Sequence, residues 1–170
     1  MCYRACREIC ANDKNTVNLH KIWQLFGMDF KYKQHIDNLL SLGIALPELV
    51  IPNDKHSYRY IFKDIPEKNH IPQYIKKPKR ALTDIEKSTA TTSGYALSCF
   101  EQEDKAKDRF ASLEASCRNI RKTIGDSLAS GTISESDGLI SIADGSTTHF
   151  DLYEYCTCNL SATFEYLCAL

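Results

Sequence analysis

A chain of 170 residues, 43% apolar and 25% charged, is long enough for one ordinary domain or two small ones. It is too short for a barrel enzyme or a complete dinucleotide-binding fold, and seven Gly with five Pro exclude collagenous and low-complexity classes. The net charge of −1 conceals two opposite halves: residues 1–80 carry 14 Lys/Arg against 8 Asp/Glu, and residues 81–170 carry 7 against 14. A basic half of that kind suits a polyanion, a protein partner or its own acidic counterpart.

Eight cysteines raise the question of a disulfide framework, but Arg4, Arg7, Glu8, Asp13 and Lys14 interrupt any signal-peptide core at the start. The expectation is a cytoplasmic chain with reduced thiols. No run of about 18 apolar residues is present, so no membrane-spanning helix is expected. Cys2, Cys6 and Cys10 recur on one stripe of a helix, where thiols act as small hydrophobes, and Cys156 with Cys158 is the sole spaced pair that could join them. Neither a metal nor another cofactor is expected.

In chain order, a first helix is expected over residues 2–11, ended by Asn12-Asp13. Asn15 or Thr16 then caps a second helix in which Leu19, Ile22, Trp23 and Phe26 mark a buried face, and Gly27 stops it. Tyr32, Ile36, Leu39 and Leu40 repeat that geometry up to Gly43, which supplies the left-handed residue that closes a third helix. Leu49-Val50-Ile51 and Tyr58-Arg59-Tyr60-Ile61-Phe62 are β-rich runs flanking the polar turn Pro52 to Ser57, and they are expected to pair as a hairpin.

Three helices followed by a hairpin resemble the winged helix-turn-helix family over about residues 1–65, with HIDNLLSLGI running into YRYIF as that family's third helix runs into its wing. The resemblance implies contact with DNA or docking of a protein. If Ile36 and its neighbours face inward, Lys31, Gln34, His35 and Asn38 form the outer stripe, side chains able to reach phosphates and base edges, and Lys55 with His56 sits in the wing.

Residues 66–93 read as a Pro-rich basic linker, holding Pro66, Pro72 and Pro78, and Lys76, Lys77, Lys79 and Arg80 could track a phosphate backbone. Beyond it, the acidic residues 94–170 read as a small antiparallel sheet with one packed helix. Strands are expected at 95–100, 128–133, 139–143, 149–156 and 162–168, and a helix over 102–117 with Ala106, Phe110, Leu113 and Cys117 on one face.

Two constellations there could carry chemistry. Gly125-Asp126-Ser127-Leu128 spells the signature of the GDSL esterases, in which the Ser is the nucleophile, and His149 with Asp144 or Asp151 could serve as base and orienter. Alternation also places His149, Asp151 and Tyr153 in one polar row along a strand, a solvent face or a proton-transfer site. Together these patterns give an α+β chain: a winged-helix-like module of three helices and a hairpin, joined to a small antiparallel sheet with a packed helix. The expected function is that of a non-catalytic binding or adaptor subunit whose partner is a nucleic acid, another protein or a second copy. The alternative is a small hydrolase using Ser127 or His149.

Overall fold

The computed structural model describes residues 29–76 and 91–170. The first two expected helices, Trp23, and the basic residues Lys77, Lys79 and Arg80 lie outside them. The described residues form a mixed α+β fold around a seven-stranded sheet. Its strands are β1 (Leu49–Val50), β2 (Lys55–Ile61), β3 (Leu97–Phe100), β4 (Ser127–Ile133), β5 (Gly138–Ser141), β6 (His149–Glu154) and β7 (Phe164–Ala169). They lie in the order β1-β5-β6-β3-β2-β4-β7, and every neighbouring pair is antiparallel.

Helix α1 (Lys33–Ser41) precedes β1, and Gly43 at φ 82° closes it as its sequence position suggests. Its inward face is narrower than expected, because Ile36 is buried while Tyr32 sits at the N-cap and Leu40 is exposed. A one-turn helix α2 (Gln73–Lys76) follows β2, and α3 (Glu103–Ser116) lies between β3 and β4. Glu103 and Asp104 occupy the first turn of α3, where they complement the helix dipole, and Ala106 and Phe110 turn inward. Short helices α4 (Ile120–Ile124) and α5 (Leu160–Thr163) precede β4 and β7. Among the described residues no helix is long and apolar enough to cross a membrane.

Alternation divides the sheet into two faces. Leu97, Cys99, Ala129, Ile133, Phe150 and Leu152 form the largest apolar cluster on one face. On the other, Phe100 and Leu128 pack with Ala106 of α3, and Leu139 and Tyr153 pack with Phe30 and Ile36 near α1. Gly125 makes the tight entry into β4: its φ is 124°, and a Cβ there would stand 2.2 Å from the Ile61 carbonyl oxygen. The Gly125-Asp126 pair therefore serves the chain turn into β4.

Two expectations need correction. The runs at 49–51 and 58–62 do not pair as a hairpin: β1 pairs with β5, and β2 lies between β3 and β4. The two-residue β1 offers little ladder, whereas β4 matches β2 from Lys55↔Ile133 to Ile61↔Ser127. Propensity marks a strand but does not name its neighbour. The division into a 1–65 module and a 94–170 domain is also not visible in this sheet, since β2 is hydrogen-bonded into the strands of the acidic half.

Candidate functional site

Strand β2 is held unevenly. Toward β4 it is laddered along its whole length, but toward β3 it is paired at Tyr58↔Phe100 alone. Past that pair the two strands part. Where β3 would continue beside Phe62, the side-chain amide of Asn69 takes its place: Phe62 N–H donates to Asn69 Oδ1 at 2.7 Å, and Asn69 Nδ2 donates to Phe62 O at 3.1 Å. That exchange satisfies the strand edge without a strand.

A cavity of about 520 Å³ occupies the parting, within the roughly 300–1,000 Å³ typical of small-molecule sites. Arg59 and Tyr60 are consecutive on β2, Leu97 and Ser98 are consecutive on β3, and all four border it. Consecutive strand residues point to opposite faces, so residues belonging to both faces of the sheet border the cavity.

On the side of the large apolar cluster stands Arg59, 6% exposed, whose Nε and Nη1 are buried without a hydrogen-bond partner. Lys76 of α2 borders the same cavity, its ammonium 5.2 Å from the centre of the Phe62 ring. Burial pulls the Lys76 pKa down, and the charges of Arg59 and Lys68 pull it further. Glu154, the nearby buried acid, forms an ion pair with Lys31 at 3.1 Å. Burial raises the Glu154 pKa against the hydrogen bond and charge of Lys31 and the charge of Arg59. His70, in the segment between β2 and α2, has a buried Nδ1 without a partner. Burial, then Arg59, Lys31 and Lys76, press its pKa down to about 3, which keeps the ring neutral.

Tyr60, Phe100, Leu113 and Arg109 border the cavity on the side of α3. Tyr60 is fixed there by donating to the Ala106 carbonyl at 2.7 Å and by packing against the Phe100 and Phe110 rings, each 5.4 Å away. Ser98 Oγ and His149 Nε2 lie 3.0 Å apart at the wall. Among the described residues Asp144 is the one acid that borders the cavity, and its Oδ1 is occupied by the backbone and hydroxyl donors of Ser146 and Thr147. Those bonds, the Ser146 hydroxyl first, hold its carboxyl well below the usual range.

The polar row expected along β6 is only partly polar in its setting. His149 and Asp151 are half-buried, but Tyr153 is buried, with its hydroxyl 3.1 Å from Thr92 Oγ1. Burial raises the Asp151 pKa, opposed by a hydrogen bond from Ser93 and by the charge of His149. Asp151 Oδ1 lies 3.9 Å from Nε2 of His149, the nitrogen that also meets Ser98. A serine–histidine–carboxylate relay needs the acid on the opposite ring nitrogen, so these three do not form one. Ser127 is buried, its Oγ bonds to Asp126, and it does not border the cavity with His149.

The residues expected to meet nucleic acid are dispersed. Gln34, His35 and Asn38 are exposed on α1, with the His35 ring stacked 4.9 Å from Tyr95. Lys31 precedes that helix and pairs with Glu154, while Lys55 pairs with Glu101. Lys76 borders the cavity.

Arg59, Ser98 and Arg109 were not among the expected site residues. For Arg59 a signal existed: alternation in Ser57-Tyr58-Arg59-Tyr60-Ile61 puts a guanidinium on the same side as Ile61, and a charge within a β-rich apolar row marks an interior site. Ser98 carries no local signal, because its approach to His149 depends on the β3–β6 register Ser98↔Asp151 and Phe100↔His149. Comparison with protein-family models, curated proteins and solved structures found no match to this chain.

Proposed function

We propose that this protein is a non-catalytic binding module whose cavity between β2 and β3 takes an anionic ligand. The observation that carries this reading is Arg59: a guanidinium 6% exposed, with two nitrogens lacking acceptors, beside a cavity that Lys76 also borders. Leaving buried donors of a charged group without acceptors is costly, and an anion seated there supplies them as charge-assisted hydrogen bonds. Calorimetric titration with inorganic phosphate and pyrophosphate tests it. Binding is expected in the wild type and lost in Arg59→Met, which keeps the bulk of the side chain. Equal heats from the two proteins would overturn the reading.

A second reading draws on Gln34, His35 and Asn38, exposed on α1: that face docks a nucleic acid. Its affinity for a labelled duplex is then expected to fall steeply between low and high salt, and a flat response would remove it.

A further inference from the structure

The cavity differs in character at its two ends. Arg59 and Lys76 gather toward one face of the sheet, while half-buried Tyr60 and buried Phe100 border the cavity toward the other, beneath α3. On the latter side Ser98 and His149 add a hydroxyl and an imidazole, and Ser146 and Thr147 stand at the rim. We infer that the ligand is a phosphate monoester of a heteroaromatic body, a mononucleotide in chemical class, with its phosphate on Arg59 and Lys76 and its ring against Tyr60 and Phe100. This rests on the anion-binding reading above and extends it.

Three features support the assignment. Two cations, Arg59 and Lys76, border that end while the nearby acid Glu154 is ion-paired with Lys31, and a phosphate monoester offers them up to two charges where a carboxylate offers one. Passing from one packed layer to the next across a sheet spans roughly 10 Å, so inorganic phosphate fills one end and a body attached to it reaches the other. The walls of that far end combine the two rings with Leu113 and Ile124 and add Arg109, Ser98 and His149 as polar groups, which suits a flat ring with hydrogen-bonding atoms at its edge.

The test uses the full chain and four probes: inorganic phosphate, ribose 5-phosphate, adenosine and adenosine monophosphate, followed by titration calorimetry and by the NMR shifts of aromatic side chains. Adenosine monophosphate is expected to bind at least about tenfold more tightly than ribose 5-phosphate, the gain a stacked base supplies. It is also expected to shift the ring signals of Tyr60 and Phe100, which inorganic phosphate leaves in place. Equal binding of adenosine monophosphate and ribose 5-phosphate, or unmoved ring signals, overturns the assignment while phosphate binding keeps the anion reading intact. Absence of binding by every phosphate probe overturns both.

Discussion

The two edges of β2 are paired to very different extents. Against β4 the ladder is complete, and the residues it brings together, Leu128, Ala129 and Ile133, are fully buried. Against β3 the ladder stops after Tyr58↔Phe100, and the residues beyond it include a guanidinium, a hydroxyl and an imidazole around open space. One edge is closed by a full ladder and the other borders a cavity, and the same alternation runs through both because each β2 residue faces one side of the sheet. Glu154 is buried with Lys31 as its ion-pair partner and Arg59 within reach of its charge, and Arg59 alone of these three borders the cavity.

This contrast can be broken by substitution. The largest effect is expected on the closed edge: Leu128→Ala removes a fully buried side chain between α3 and the sheet and should cost about 3 kcal/mol in urea unfolding. A loss below about 1 kcal/mol would mean that this edge is less tightly packed than its burial indicates.

Acid sharpens the comparison next. A histidine base whose folded pKa lies near 3, below its ordinary 6.5, contributes stability that is full above pH 6.5 and is lost as the pH falls toward 3, because the unfolded chain binds the proton first. His70→Asn tolerates the positive φ of 53° at that position and removes the titration. The wild type should therefore lose on the order of 2–4 kcal/mol more than this variant between pH 6.5 and 3.5. Parallel stability curves would place His70 in water instead.

The charges of Lys31 and Arg59 should separate as well. Lys31→Met strips Glu154 of its ion-pair partner and is expected to cost about 2 kcal/mol. Arg59→Met replaces a buried charge by an apolar chain and should leave stability within about 1 kcal/mol of wild type, or raise it. Matching large losses in both would show that Arg59 is held by the fold alone. The smallest effect belongs to Ser98→Ala, which removes one hydroxyl at the cavity wall and is expected to change stability by less than about 0.5 kcal/mol.

What was legible in the sequence was local. Helix α3 runs from Glu103 to Ser116 against an expected 102–117, and β4 and β5 fall within one or two residues of their expected bounds, because periodicity and turn residues lie within each segment. What was not legible was pairing. The seven-residue β2 reads as one arm of a hairpin until β4, more than sixty residues later, claims its full length. Tyr153 reads as polar by alternation with His149 and Asp151, yet α1 and Phe30 close over that end of the sheet and bury it. The cavity itself has no sequence signature, since it is the place where two strands distant in the chain fail to meet.

The most direct measurement is a crystal of the full chain soaked in tungstate, a heavy tetrahedral dianion located by its anomalous scattering. An anomalous peak between β2 and β3, within hydrogen-bond reach of Arg59 and Lys76, is the expected result. Peaks confined to exposed lysines elsewhere, with the parted strands left empty, would contradict the central claim that this opening exists to hold an anion.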